Sequence, residues 1–181
     1  MRYTWHGVQP PSTEQLRIAY GERLDVRSTV RSEGGEYAYE VVLDSDWAVL
    51  ALTVEAPDRR VRLRRERDGT WFVDDTVRPD LAAAVDVDLA FSPFTNTLPI
   101  RRLGLAVGAA AEVVTAYVDA PSLLVTPDPQ RYTRLEDRVY LYESLDSDFS
   151  RRITVDDDGF VVDYPGLFRR APGPGDPTGT L

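Results

Sequence analysis

An all-β fold is predicted: a many-stranded, mostly antiparallel curved sheet closing into a barrel or half-barrel, with one short helix near residues 96–103. Three observations predict it. Short runs alternate apolar and polar residues at the period of two expected of a half-buried strand. Turn chemistry built from Gly, Pro, Asn and Asp separates these runs at intervals of ~8–12 residues. Only the segment after Asn96 offers a short helical stretch within the central region. Residues 1–170 form a single domain in this reading, and Ala171 to Leu181, rich in Pro and Gly, form a disordered tail.

The elements follow in order. Tyr3 and Trp5 alternate before the Pro10-Pro11 break, and Leu16, Ile18 and Tyr20 alternate with Arg17 and Ala19 up to Gly21. Asp25 to Arg31 alternates weakly. Glu33-Gly34-Gly35 predicts a hairpin, whose return strand sets Tyr37, Tyr39, Val41 and Leu43 on one face. Trp47 to Val54 is short and nearly continuously apolar, which predicts a strand buried on both faces. Arg59 to Arg67 is the one basic cluster. It reads either as a phosphate or nucleic-acid patch or as a strand with Val61 and Leu63 inward and Arg62 and Arg64 outward, and the acidic balance of the chain favours the strand. Asp68-Gly69 turns into Thr70 to Val73.

The central stretch runs from Val85 to Leu103. Val85, Val87 and Leu89 alternate against Asp86 and Asp88, so both carboxylates share one strand face. The chain turns at Ser92-Pro93, and Asn96 with its neighbouring threonines is placed to cap a short helix ending in Arg101 and Arg102. Two acids, a polar turn and paired arginines either surround a pocket mouth or seal a barrel end with ion pairs; spacing alone favours the second. Beyond it, Leu103 to Val107, Glu112 to Val118, Leu123 to Thr126, Arg131 to Leu135 and Arg138 to Leu145 read as strands, with Pro127 ending the third. Asp156-Asp157-Asp158-Gly159 lacks the twelve-residue ligand spacing of a calcium loop and reads as an acidic hairpin tip.

Composition excludes several classes of function. With 21 basic and 30 acidic residues the chain carries a formal charge of −9, so nucleic acid and anionic membranes meet a repelling surface. Cysteine is absent, which removes disulfides, thiolate catalysis and cysteine metal sites. His6 is the one histidine, leaving no multi-histidine metal site and no ready triad. No glycine-rich phosphate loop or nucleophile elbow is present, and no cofactor or metal is predicted. The first residues contain no apolar signal region and no run is long enough for a membrane span, which predicts a soluble cytoplasmic protein.

Several runs carry a family resemblance: Asp86-Val87-Asp88-Leu89, Pro93-Phe94-Thr95-Asn96-Thr97-Leu98-Pro99-Ile100-Arg101-Arg102-Leu103, Ala116 to Pro121, Gln130-Arg131-Tyr132, and Tyr164-Pro165-Gly166-Leu167-Phe168-Arg169-Arg170. Over Trp5 to Arg170 the chain resembles a bacterial family described as glycolipid-binding, formerly a domain of unknown function. The resemblance implies a curved antiparallel barrel similar to the carriers that ferry lipids or lipoproteins across the periplasm, and implies less about activity than about fold. Where relatives often carry Gly-Cys ahead of the Asp-Val-Asp run, this chain has alanines and Val85, so a thiol role there is lost.

The expected function is binding of a glycolipid or other amphiphilic, sugar-bearing small molecule, without chemistry. Aromatic residues such as Trp71, Phe72, Tyr117, Tyr140, Tyr142 and Tyr164 offer an apolar wall that can also stack on sugars, and Arg101, Arg102, Arg169 and Arg170 offer forks for a phosphate or sugar acid. The candidate ligand-binding set is Arg101, Asp86, Asp88, Asn96, Arg102, Trp71, Tyr164 and Arg170. Two alternatives stand beside it: a hydrolase or isomerase using Asp86 and Asp88 with Arg101, and an interaction module with a sealed core.

Overall fold

The structure, a computed structural model, describes residues 1–173; all but the first three residues of the tail foreseen at Ala171 to Leu181 lie outside the described residues. The strands are β1 (Arg2–Val8), β2 (Pro11–Tyr20), β3 (Leu24–Ser32), β4 (Gly35–Leu43), β5 (Val49–Ala56), β6 (Arg59–Arg65), β7 (Trp71–Val73), β8 (Thr76–Val77), β9 (Ala84–Leu89), β10 (Ala110–Val118), β11 (Val125–Glu136), β12 (Val139–Ser144), β13 (Ser150–Val155), β14 (Val161–Tyr164) and β15 (Phe168–Arg170). Among the described residues one α-helix, α1 (Phe94–Leu103), joins β9 to β10, and a single 3-10 turn, Pro79–Leu81, precedes β9. The strands form one sheet in the order β8 down to β1, then β15 down to β9. Hairpins make the neighbouring strands antiparallel, and only β9 and β10 run parallel, the pairing that requires the crossover α1 supplies.

Connectivity forces this sheet to curl. β8 and β9 lie at its opposite edges, although only residues 78–83 separate them in the chain. Laid flat, so many strands at ~4.8 Å each would span more than about 60 Å. The chain from Val77 to Ala84 reaches at most about 25 Å. Side chains join the approaching edges: Trp71 Nε1 donates to the Ala84 carbonyl at 2.9 Å, Arg78 Nη2 to the Val125 carbonyl at 2.8 Å, and Arg59 Nη1 to the Ser122 carbonyl at 3.2 Å. Among the described residues no backbone ladder pairs β8 with β9, so of the barrel or half-barrel foreseen from turn spacing, closure by a backbone ladder is not seen, and side chains bridge the edges. Trp71→Phe removes the indole N–H that the Ala84 carbonyl accepts from and leaves a small void where the fused ring packed. It is expected to cost about 1–3 kcal/mol, read as a lower urea midpoint at an unchanged slope.

The inner face has two territories. Trp5, Leu16, Ile18, Val26, Tyr39, Val41, Leu43 and Leu52 from β1 to β5 form a dry core with Phe94 and Leu98 of α1. Tyr132, Tyr140, Tyr142 and Tyr164 from β11, β12 and β14 form a second cluster around Ile100 and Ile153. The helix is wedged between them, buried from Phe94 to Ile100.

Four expectations are corrected. Trp47 to Val54 is not a strand buried on both faces: Trp47 sits in the preceding turn at φ 68, and in β5 Val49, Leu52 and Val54 are buried while their neighbours are partly exposed. Leu103 to Val107 is not a strand, because Gly104 ends α1 in the left-handed conformation and backbone pairing resumes only at Gly108, with Arg134, ahead of β10. Asn96 does not cap the helix. It lies within the first turn, while Ser92 Oγ accepts from the Phe94 amide at 3.2 Å and Thr95 Oγ1 from the Leu89 amide at 3.1 Å. Pro127 does not end a strand, since β11 runs through Pro127 and Pro129, its ladder there formed with β10 while the Leu145 amide donates to the Pro129 carbonyl from the other side.

Candidate functional site

Those two prolines open a cavity. β11 pairs with β10 from Val125 to Thr133, but its ladder to β12 begins only at Gln130 opposite Ser144. Proline has no N–H to give, so the β12 side of residues 125–129 cannot carry a regular ladder. Between this free edge and the turn after β12 lies a cleft of about 430 Å³. Period two sets the side chains around it: Asp128, Gln130 and Tyr132 share one face of β11, with Asp128 lining the cavity and Gln130 and Tyr132 buried behind it, and register sets Tyr142 opposite Tyr132 and Tyr117 opposite Asp88.

Asp88 is at the centre of the lining. Its Oδ1 accepts from Thr95 Oγ1 at 2.8 Å and its Oδ2 from Gln130 Nε2 at 2.8 Å. The same Gln130 nitrogen donates to Asp128 Oδ2 at 2.6 Å, so one amide bridges two carboxylates. Asn96 Nδ2 donates to Tyr132 Oη at 2.9 Å, and Tyr132 donates on to Gln130 Oε1 at 3.3 Å. Burial raises the Asp88 carboxyl above its ordinary value, opposed by the Thr95 and Gln130 bonds, and burial raises Asp128 as well. Burial, with the Asp88 charge second, pushes Tyr117 up to about 12 and raises Tyr142 and Tyr164 further, so these phenols stay protonated and able to donate. Phe149, Leu167 and Phe168 form the apolar side of the cavity.

The eight candidates are distributed over the molecule. Asp88, Asn96 and Tyr164 meet in this cavity. Asp86, fully buried, is held by Arg102 through Nε at 3.1 Å and Nη2 at 2.6 Å. Thr95 and Arg102 lie seven residues apart on one face of α1, and they reach Asp88 and Asp86 respectively, so the helix runs back along β9. Arg101 points the other way, over the Trp47 ring at 4.2 Å and onto the Asp158 carbonyl. Trp71 belongs to the dry core, and Arg170 pairs with Asp156 beside Tyr3. Of the aromatics read as a possible wall, Tyr117, Tyr142 and Tyr164 line the cavity, whereas Trp71, Phe72 and Tyr140 do not.

Sequence reasoning missed Glu14. This carboxylate, 2% exposed, accepts from Tyr39 Oη at 2.6 Å, Ser28 Oγ at 2.8 Å and Ser92 Oγ at 2.9 Å. Burial pushes its pKa up to about 7 despite these three donors. Ser92 also lines the cavity, so it links the buried carboxylate to the cavity wall. The signal was legible: Glu14 precedes Leu16 and Ile18 at period two on an inward face, where an acid is out of place. Asp128 and Gln130 were likewise missed because Pro127 and Pro129 hid the alternation of β11.

Among the described residues no group of three or more His, Asp or Glu is placed to hold a metal ion, and no helix is long and apolar enough to cross a membrane. No curated protein matches this chain. A crystal structure of a DUF1089 family protein from Pseudomonas aeruginosa is similar, with 36% identity, a TM-score of 0.73, and coverage of 87% of this chain and 92% of that one. The family described as "Putative glycolipid-binding" matches residues 2–170, nearly the whole sheet and all of the cavity. The chain belongs to that family.

Proposed function

We propose that the protein binds an amphiphilic, sugar-bearing small molecule without chemistry, holding the sugar in the cavity around Asp88. The observation that carries this reading is a cavity of about 430 Å³, within the range of small-ligand sites, that combines tyrosine and phenylalanine surfaces with hydrogen-bonding groups that have no partner among the described residues. Tyrosine faces suit the apolar faces of a sugar ring, and phenol, amide and carboxylate groups suit its hydroxyls. Leu167, Phe168 and Phe149 offer the apolar remainder of an amphiphile a wall to lie against. The family description points the same way. In this reading Asp88, Asn96 and Tyr164 contact ligand. Asp86 and Arg102 hold the strand and helix that carry them, and Arg101, Trp71 and Arg170 secure the frame.

Native mass spectrometry of the protein purified from its own host, followed by solvent extraction, tests the reading. A stoichiometric sugar-bearing amphiphile is the expected result. Tyr142→Phe/Tyr164→Phe deletes two hydroxyls with no partner among the described residues and is expected to lower retention about tenfold at unchanged stability. A clean ligand-free mass from the native host would count against it.

A further inference from the structure

We propose that the cavity selects a sugar without negative charge, neutral or amine-bearing, and rejects sugar phosphates and uronic acids. This rests on the sugar-binding reading above and specifies its ligand class. It also reverses the sequence-based expectation that arginine forks hold an anionic head group.

Three carboxylates, Asp88, Asp128 and Asp146, line the cavity, and among its lining residues there is no arginine, lysine or histidine. The arginines near α1 are committed elsewhere, Arg102 to Asp86 and Arg101 to the Asp158 carbonyl and the Trp47 ring. Arg151, opposite Tyr142 in the β12–β13 ladder and the guanidinium whose charge reaches Tyr164, is not among the lining residues: it lies over the Phe149 ring at 4.9 Å and donates to the Ser150 carbonyl.

An acidic lining alone would not make a site. The second observation is a set of unsatisfied polar groups. Asn96, Tyr142 and Tyr164 are 4%, 6% and 5% exposed, yet each lines the cavity. Asn96 spends its amide nitrogen on Tyr132, and its Oδ1 has no donor among the described residues. The Tyr142 and Tyr164 hydroxyls have no hydrogen-bond partner among the described residues, and none of these three oxygens belongs to the solvent-inaccessible orphans of the core. Large polar side chains this deeply buried, with their polar ends left open to a cavity, are the arrangement that a ligand completes.

The unused groups set the ligand's chemistry. Asp128 gives one oxygen to Gln130 and Asp146 one to Ser144, and the second oxygen of each has no donor among the described residues. A carboxylate only accepts, so its partner must donate. Sugar hydroxyls and ammonium groups donate. Against Asp128 and Asp146 a phosphate or carboxylate offers acceptors to acceptors and adds like-charge repulsion in a partly desolvated space.

Isothermal titration of the whole protein at low salt, with octyl glucoside and octyl glucuronide below their micelle-forming concentrations, tests the assignment. These probes differ in one carboxylate. The glucoside is expected to bind, and the glucuronide at least about tenfold more weakly. Asp128→Asn/Asp146→Asn, both at the rim and outside the dry core, is expected to narrow that gap. Equal or tighter glucuronide binding, abolished by Tyr142→Phe/Tyr164→Phe, would overturn the charge selection and leave the sugar-binding reading standing. Failure of both probes to bind would overturn both.

Discussion

Replacing Arg102 with methionine is expected to destabilise the protein by about 3–5 kcal/mol, because it strands the Asp86 carboxylate in the core. Asp86 is fully buried, and its two oxygens depend on Nε and Nη2 of Arg102. Burial already raises the Asp86 carboxyl above its ordinary value, and Arg102 is the first influence opposing that rise. Without the guanidinium, the acid either stays charged and unpaired or takes up a proton, and both cost stability. Arg102→Met/Asp86→Leu is expected to recover most of the loss, since a buried pair replaced by apolar groups of similar size is near neutral. Urea denaturation of the two single variants and the double variant reads this directly, as a coupling energy between the two sites.

The second large effect is a pH dependence at Glu14. Its folded pKa of about 7 lies above the ordinary value of 4.5, so the folded state binds the proton more tightly than the unfolded chain. Stability from this group is therefore greatest below pH 4.5, falls as pH rises towards 7, and is lost above it. A shift of this size corresponds to about 3 kcal/mol across the window. Glu14→Gln keeps the shape and an acceptor for Tyr39, Ser28 or Ser92 without the charge. It is expected to match the native protein near pH 5 and to exceed it by about 3 kcal/mol at pH 8. Parallel pH dependences for the two proteins would show that the carboxylate is not paying a burial cost.

Much of the fold was legible because its elements obey local rules. Glu33-Gly34 makes the hairpin between β3 and β4, Asp68-Gly69 turns the chain after β6, and Asp156 to Gly159 makes the β13–β14 tip, where Asp156 accepts from the Asp158 and Phe160 amides. Arg59 to Arg65 is a strand with Val61 and Leu63 buried, as alternation requires. Sheet order was not legible. Nothing local to β9 says that it pairs with β10 at the edge farthest from β8, and that pairing is what makes the sheet curl.

The candidate site was legible only where one strand displayed it. Asp86 and Asp88 do share a face, but α1 divides them, binding Asp86 through Arg102 and Asp88 through Thr95. The remaining lining, from Tyr117 to Phe168, comes from β10, β11, β12, β14 and β15 and from the turns after β12 and β14, brought together by the register of the sheet. Adjacent arginines were equally uninformative, because successive helix positions point about 100° apart and Arg101 and Arg102 serve different neighbours.

The central claim is that a sugar sits against Asp88 between β11 and β12. Two-dimensional amide NMR of the isotope-labelled protein during titration with octyl glucoside tests it most directly. Shifts centred on Asp88, Asn96, Asp128, Tyr142 and Tyr164 are the expected result. Shifts centred instead on Arg101, Arg138 and Asp157, in the cleft on the other side of α1, with the Asp88 group unmoved, would contradict it.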